Sequence, residues 1–381
     1  MQAILNHLKG DRVIWVIVIL LSLFSILGVY SATGALAYRQ VGGNTEYYLL
    51  KQLFIVGFGF VLMYLSHKVN HLYYSRVAQV MLYASVPLLA FTLFFGADIN
   101  EARRWLTVPV LNVSFQTSDF AKLALIMYTS RMLSRKQHII KDFDRSFLPI
   151  VLPMIVVCML IVPANLSTAA LLFTTCLILM FIGRVHFRHI TLTIWFGLSV
   201  FAFYVAIASY TGKGRVQTWA KRVENFVNKD VEESYQVQQA KIAIANGGFV
   251  RLAPGKSVQR NFLPHPYSDF IYAIIIEEYG LITGVFVLLL YLILLYRCIR
   301  IFARGPDPFG ALLVVGLGAI LVIQALMNMA VTVNLLPITG LTLPLISMGG
   351  TSVLFSSVAI GIILSVSRTV EETSSNIEAR L

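Results

Sequence analysis

The acidic side chain most suggestive of chemistry in this sequence is Asp269, within the stretch NFLPHPYSDFIYAIIIEEYG, residues 261–280. Pro264 and Pro266 disfavour a helix just upstream, because each proline fixes φ and lacks an N–H donor. The Ser268–Asp269 pair is then typical of a helix N-terminus. A carboxylate there has two interpretations: a cap for helix N–H groups, or a general base facing water. Position alone leaves both open.

Adjacent arginines that could bind an anion occur at Arg103 and Arg104, immediately before Trp105. The planar guanidinium fork suits the oxygens of phosphate, so a clamp for a phosphate-bearing ligand is one hypothesis. The alternative is ordinary surface charge beside a tryptophan that anchors the chain at a membrane interface.

A second charged cluster lies in QTSDFAK, residues 116–122, where Gln116 precedes the start of an apolar helix. Asp119 and Lys122 are spaced i,i+3 and therefore share one helix face. They form either a salt bridge near the interface or a polar site, since an unpaired charge inside a membrane is costly.

Two further polar features fall within apolar runs. Glu277 and Glu278 follow Asp269 by about two helical turns, so they are intramembrane carboxylates whose partner could be a basic residue such as Lys122. The run LLPITGLTLPLISMGGTS, residues 335–352, contains two prolines and three glycines. It indicates either a broken helix lining a cavity or a tight bend, and Asn328 should hydrogen-bond into the same region.

The elements that position these residues follow from composition. The chain has 381 residues, of which 57% are hydrophobic and 13% charged, and its mean hydropathy is +0.77. A soluble domain would be roughly a quarter charged. We therefore predict an all-α polytopic membrane protein, a single integral domain over residues 1–381. About ten spans are expected, near 13–33, 48–66, 77–95, 118–134, 147–163, 166–183, 189–210, 269–297, 308–333 and 345–367.

The net charge of +12 does not indicate nucleic-acid binding, because short loops on one side of the spans hold much of the basic charge. The positive-inside tendency then places both termini in the cytoplasm. On the opposite side, residues 211–268 form a long basic loop. Residues 232–250 predict a helix ending at Gly247 and Gly248, either lying on the outer leaflet or packed on the bundle. A short cytoplasmic tail, residues 369–381, should be disordered from Glu371.

Cysteine and histidine spacing gives no sign of a metal centre. Cys158, Cys176 and Cys298 lie in or beside apolar segments at unrelated intervals, which supports neither a disulfide framework nor a metal site. The seven histidines likewise show no ligand spacing.

Taken in chain order, these motifs resemble the SEDS family (shape, elongation, division and sporulation) of FtsW/RodA-type cell-wall polymerases. The resemblance covers nearly the whole chain. It is strongest in LLPITGLTLPLISMGGTS, whose GLTLPLIS sequence is more similar to the FtsW division branch than to the RodA elongation branch. The RRW, QTSDFAK, YQVQQAKIAIANGG and LPHPYSDFIYAIIIEEYG stretches are similar to further family elements.

The resemblance implies that Asp269 is the essential carboxylate and that Arg104 and Lys122 correspond to a family arginine and lysine. Candidate substrate-binding residues are Arg103, Arg104, Lys122, Asp119, Gln116, Trp105, Ser257, Gln259, Asn328, Ser347, Gly349 and Gly350. Some positions depart from the family pattern. Thr117 and Asp119 replace a proline and a glutamate, Met348 replaces a tyrosine, and Asn165 stands where an aspartate is expected.

The implied activity is transfer of glycan from lipid II at the outer face of the cytoplasmic membrane. Asp269 would act as base, and undecaprenyl diphosphate would leave with inversion. A divalent cation, Mg²⁺ or Mn²⁺, is a candidate cofactor. The implied partners are lipid II, membrane lipids, a class B penicillin-binding protein and other division proteins at the septum, with no nucleic acid. The alternatives are a lipid II flippase and a noncatalytic divisome scaffold.

Overall fold

The described part of the chain is mainly helical, as its composition predicts. The computed structural model describes residues 9–40, 42–99, 102–108, 113–140, 142–212, 215–227 and 235–378. The helices are α1 (Arg12–Ala32), α2 (Gly34–Gln40), α3 (Thr45–Lys68), α4 (His71–Phe95), α5 (Thr117–Arg135), α6 (Leu148–Ile161), α7 (Leu166–Ile182), α8 (Phe187–Thr211), α9 (Val216–Val227), α10 (Tyr235–Gly247), α11 (Ile271–Tyr279), α12 (Leu281–Arg304), α13 (Pro308–Thr332) and α14 (Thr351–Glu378). Short 3-10 turns at Gln137–Ile139 and Gln259–Asn261 and a π turn at Phe143–Phe147 complete the helical elements.

Eight of these segments are long and apolar enough to cross a membrane, which confirms a multi-pass membrane protein. They are α1, α3, α4, Phe143–Ile161, α8, α12, α13 and Thr351–Thr373. Helix α7 is apolar but has 17 residues. Helix α5 contains Asp119, Lys122 and Arg131. The predicted count of about ten spans therefore stays a prediction.

Packing divides the chain into two compact units. The first comprises Met1–Leu65, Lys221–Arg297 and Leu321–Val358, and the second comprises Ser66–Ala220, Cys298–Ile320 and Ala359–Leu381. The single integral domain over residues 1–381 stays a prediction.

Helix α11 is the buried centre of the first unit, since every residue from Ile271 to Glu278 is buried. Helix α10 packs on it through Ala240 and Ala243. The helix predicted over residues 232–250 is therefore packed against protein, although Glu232–Ser234 lie outside the described residues. Its last residue, Gly247, lies so close to α11 that a Cβ atom would sit 2.1 Å from the Ile276 carbonyl oxygen.

The span predicted over residues 269–297 is wrong as a single helix. Gly280 breaks it with φ of +83°, in the left-handed region that glycine adopts without strain. The first N–H groups of α12 are satisfied from outside the helix: Leu281 N donates to Gly248 O at 3.0 Å and Ile282 N to Phe249 O at 3.2 Å. The backbone carbonyls of the loop after α10 thus accept hydrogen bonds from N–H groups that have no helical partner after the break at Gly280.

Helix α14 corrects two further predictions. It begins at Thr351, later than residue 345, because the Pro/Gly-rich segment before it is non-helical. It also continues to Glu378, so the disordered tail predicted from Glu371 is wrong for the described residues. Extending an existing helix avoids the cost of nucleating a new one.

In the second unit, a three-stranded antiparallel sheet precedes α5, and sequence analysis does not predict it. Its strands are β1 (Ala97–Ile99), β2 (Ala102–Val108) and β3 (Val113–Gln116), in the order β1-β2-β3. Trp105 of β2 pairs with Gln116 of β3, the residue that directly precedes α5. The sheet therefore links the RRW and QTSDFAK motifs through backbone pairing.

The close packing of α10 on α11 generates a stability prediction. Gly247→Ala forces the two helices apart and should destabilise the protein by about 1–3 kcal/mol, the usual range for overpacking. Thermal unfolding in detergent measures the effect. Gly57→Ala is the matched control, because no described atom lies within 4 Å of a Cβ there. An equal change in both variants would contradict the tight packing.

The Asp307 carboxylate generates a pH prediction. Asp307 Oδ2 lies 3.2 Å from His71 Nε2 and accepts from Gly310 N at 2.9 Å. The His71 hydrogen bond lowers the pKa of Asp307 below its ordinary value. The stabilisation is therefore present above the unfolded pKa of about 3.9 and is lost as pH falls through the lower folded value.

Asp307→Asn should accordingly lower the melting temperature at pH 7, and the difference from wild type should shrink as pH falls below about 4. Melting temperatures measured from pH 7 to pH 3 test this. Asp144→Asn, which removes an exposed carboxylate of the same unit, serves as control. A wild-type advantage that persists unchanged at acid pH would refute the assignment.

Candidate active site

Asp269 lies in a turn before α11 and does not cap that helix, so the predicted capping role is wrong. Helix α11 starts two residues later, at Ile271, and its N-terminus has no side-chain cap. The half-buried Asp269 carboxylate instead accepts a hydrogen bond from Ser268 Oγ at 2.9 Å. It therefore keeps acceptor capacity that a helix cap would use.

The backbone of this turn is held by the interrupted segment between α13 and α14, residues 333–350. Ser347 Oγ donates to Ser268 O at 2.6 Å, and Met348 N donates to Tyr267 O at 2.9 Å. Asn328 Nδ2, on α13, donates to Asp269 O at 2.8 Å and to Leu341 O at 2.7 Å. The segment is non-helical, as its prolines and glycines predict, and the predicted hydrogen bonding of Asn328 into this region is confirmed.

The interrupted segment also approaches the carboxylate itself. A Cβ atom at Gly340, which has φ of +67°, would lie 3.5 Å from Asp269 Oδ2. Glycine at this position tolerates the left-handed backbone and leaves the space beside the carboxylate open. Gly349 and Gly350 lie at the other end of the segment, where Gly350 has φ of +49° and allows entry into α14.

Tyr267 adds a phenol beside the carboxylate. Its hydroxyl lies 3.2 Å from His265 Nδ1. Burial, together with the neighbouring Tyr48 and Asp269, raises the pKa of the Tyr267 phenol. Tyr267 therefore stays protonated at neutral pH and can serve as a hydrogen-bond donor. An aromatic residue in a Pro-rich loop has no distinctive spacing, so the sequence does not single out Tyr267 as a functional residue.

Glu277 and Glu278 are both 1% exposed, and they bind the loop that precedes the Asp269 turn. Glu277 Oε1 accepts from Val258 N at 3.1 Å and Gln259 N at 3.3 Å, and the Ser257 hydroxyl donates to its other oxygen. Glu278 accepts from Ser257 N at 3.1 Å and from the Ser31 hydroxyl. Arg260 is a basic residue that interacts electrostatically with Glu278, and the pairing of these carboxylates with Lys122 stays a prediction.

This network also places two predicted substrate-binding residues. Ser257 and Gln259 are 3% and 7% exposed, and both donate to Glu277. Their position indicates a role in holding the loop.

In the second unit, the predicted i,i+3 ion pair is confirmed. Lys122 Nζ lies 2.8 Å from Asp119 Oδ1, and the two side chains are 12% and 4% exposed. Gln116 Nε2 donates to Ser118 Oγ at 3.0 Å at the helix start. Asn165 caps α7 by accepting from Thr168 N at 3.3 Å, so the amide performs a local structural role.

The arginine motif lies on strand β2, where Arg103 pairs with Asp98 and Trp105 with Ala97. The side chains of Arg103 and Arg104 fall outside the described part of the structure, while Trp105 is half-buried. The approach of Arg104 and Lys122 to Asp269 stays a prediction. Among the described residues, no three His, Cys, Asp or Glu side chains group into a metal-binding cluster.

Comparison with known proteins gives a consistent result. The family of cell cycle proteins denoted FTSW_RODA_SPOVE matches residues 11–372. Stage V sporulation protein E of Bacillus subtilis is 31% identical over 366 residues, covering 94% of this chain and 97% of that protein. A probable peptidoglycan glycosyltransferase FtsW of Trichlorobacter lovleyi is 31% identical over 364 residues, covering 94% and 93%.

Solved structures share the fold. A chain from a peptidoglycan synthase complex that coordinates polymerization and crosslinking superposes with a TM-score of 0.72 at 24% identity, covering 95% of this chain and 98% of that one. The rod shape determining protein RodA of Thermus thermophilus gives a TM-score of 0.68 at 22% identity, with coverage of 95% and 98%.

The contacts of Asn328 generate a prediction about the site. Asn328→Ala leaves the carbonyls of Asp269 and Leu341 without this donor, which should cost about 1–3 kcal/mol of stability and release the Asp269 turn. Gln324→Ala is the matched control, because Gln324 Nε2 makes the same type of bond to Thr342 O, at 2.9 Å, one turn earlier on α13.

We expect Asn328→Ala to lower the rate of the catalysed reaction at least about tenfold and Gln324→Ala to lower it less. The two variants should lower the melting temperature by similar amounts. The test measures the reaction rate at saturating substrate and the melting temperature in detergent for each variant. Equal rate losses in the two variants would argue against a specific support of Asp269 by Asn328.

Proposed function

The chain belongs to the FtsW/RodA/SpoVE family of cell cycle proteins, and we propose that it is a peptidoglycan glycosyltransferase that polymerises lipid II. The supporting observation is the half-buried Asp269 carboxylate, held through its backbone by Asn328 and not used as a helix cap. The names of the FtsW relatives support the same reaction class.

In the proposed reaction, Asp269 accepts the proton of an acceptor sugar hydroxyl. The hydroxyl oxygen forms the new bond to the anomeric carbon of the donor, and the bond from that carbon to the diphosphate oxygen breaks. The diphosphate leaves with the electron pair, so undecaprenyl diphosphate is released and the anomeric centre inverts. A positioned general base of this kind contributes typically ~10²–10⁴-fold to a rate.

Charge develops on the leaving diphosphate, and cationic side chains stabilise such charge when they are already in place. Arg103, Arg104 and Lys122 are the proposed sources. The positive charge of Lys122 is partly balanced by its ion pair with Asp119. A divalent ion, Mg²⁺ or Mn²⁺, would be held mainly by the substrate's phosphate oxygens, as is common for Mg²⁺.

We further propose that the reaction takes place at the outer face of the cytoplasmic membrane, with both termini in the cytoplasm, at the division septum. The FtsW names of the relatives support the division role. A class B penicillin-binding protein is the proposed partner, because a structural neighbour belongs to a complex that coordinates polymerization with crosslinking.

The test is polymerisation of purified lipid II by the purified protein together with its cognate class B penicillin-binding protein. Wild type should form glycan strands, and Asp269→Ala should reduce the initial rate at least ~100-fold, because the proton acceptor is absent. Glu224→Ala removes an exposed carboxylate from α9 and should leave the rate within about twofold.

Asp269→Ala with near wild-type rate would disprove the assigned base. A wild-type protein that moves labelled lipid II across vesicles without forming strands would instead establish a flippase, and inactivity in both assays would favour a scaffold.

A further inference from the structure

A cavity of about 310 Å³ lies beside the Asp269 turn in the first unit, and the proposed mechanism leaves it unused. Its lining runs from the end of α1 and helix α2 to the loop Arg260–Tyr267, ending two residues before Asp269. Small-molecule sites have volumes of roughly 300–1,000 Å³, so the cavity is large enough for a single small group. We call it the Arg260 cavity.

Arg260 supplies the positive charge of this cavity. Its NH1 nitrogen donates to Ser31 O at 3.2 Å, which fixes one side of the guanidinium. Its Nε atom is buried and has no hydrogen-bond partner within the described part of the chain. Gly34 lies alongside, where a Cβ would be 3.5 Å from the guanidinium carbon. Arginine stays charged in proteins, and the buried Glu278 carboxylate nearby balances part of this charge. The unpartnered Nε–H is therefore the donor that an acceptor group of a ligand would satisfy.

The wall that carries Arg260 is held in place by the buried carboxylates. Glu277 and Glu278 bind the backbone N–H groups of residues 257–259, and Ser257 Oγ accepts from Arg260 N at 3.1 Å. A wall fixed in this way loses little conformational freedom when a ligand binds, which improves affinity. The two glutamates therefore make the cavity a preformed one.

The remaining lining is suited to a carbohydrate. Phe262 and Tyr267 provide aromatic surface, while Asn261 and His265 provide polar groups that can hydrogen-bond hydroxyls. His265 adopts φ of +54°, a backbone conformation uncommon for a residue with a side chain, and its ring contacts the Tyr267 hydroxyl. Apolar walls with a few placed polar groups are characteristic of specific small-molecule sites.

We propose that the Arg260 cavity binds a sugar of the lipid-linked sugar diphosphate substrate, with Arg260 contacting an anionic group of that substrate. This inference rests on the proposed function, since it assigns part of the substrate to a place beside Asp269. It makes Arg260 a substrate-binding residue and Glu277 and Glu278 positioning residues that act through the 257–260 loop.

The test is equilibrium binding of a fluorescent lipid II analogue with a short prenyl chain to detergent-purified protein carrying Asp269→Asn, so that substrate is not consumed. Arg260→Gln in that background should weaken binding about tenfold, the scale of a lost charge-assisted hydrogen bond. Arg251→Gln is the matched control, since Arg251 belongs to the same loop but does not line the cavity. It should change the dissociation constant less than twofold.

A second variant keeps Arg260 and fills the Arg260 cavity with a larger side chain. Ala35→Phe projects a ring from α2 into the cavity and should weaken analogue binding about tenfold. Its melting temperature should equal that of the Asp269→Asn parent protein. Farnesyl diphosphate, which has the diphosphate but no sugar, should bind at least about tenfold more weakly than the analogue. Equal binding of the two probes would overturn the assignment of the sugar.

The outcomes separate this inference from the proposed function. Arg260→Gln and Ala35→Phe proteins that bind the analogue as tightly as their parent would overturn the cavity assignment, even if wild type polymerises lipid II. Absence of binding in the parent would overturn it as well. Binding that depends on Arg260 in a protein that never forms glycan would support the cavity and refute the transferase.

Discussion

The hydrogen bonding between the interrupted segment 333–350 and the Tyr267–Asp269 turn is the constraint on which this site depends. A helix through that segment would use the Met348 N–H for its own backbone hydrogen bonding, so this donor would not reach the turn. Prolines and glycines prevent the helix, and Ser347 and Met348 then donate to the turn. Asn328 completes the arrangement from α13. Irregular backbone inside a membrane protein is tolerated only where it is buried or lines a cavity, and here it holds the turn that carries Asp269.

A second constraint acts on the other side of the same turn. The adjacent glutamates of α11 are buried, and burial of a carboxylate is unfavourable unless hydrogen bonds compensate it. The loop around Ser257 provides those donors. As a result, the C-terminal end of α11 is bound to the loop and is followed directly by the glycine break at Gly280. This arrangement explains how Asp269, which lies in a turn, keeps a defined position without being part of a helix.

The sequence predicts most of the helices and the non-helical segment before α14. The features that it does not predict have specific physical reasons. Apolar runs predict the helices because membrane burial leaves a strong compositional signal, and the Pro/Gly run predicts the broken segment. The sheet before α5 is not evident in the sequence because its strands are short and carry charge within a chain of apolar helices. The sequence does not reveal the role of Glu277 and Glu278, because their partners Ser257 and Ser31 are far from them along the chain and are common residue types. Residue type alone leaves Asp269 as a candidate cap, because it does not show that α11 begins at Ile271.

The central claim is that Asp269 acts as the proton acceptor, and chemical rescue tests it most directly. The single-turnover rate of glycan bond formation by Asp269→Ala should be very low and should rise with added formate, a small base able to occupy the vacated space. The same formate should leave the wild-type rate unchanged. An Asp269→Ala protein that transfers sugar at the wild-type rate without formate would contradict the account.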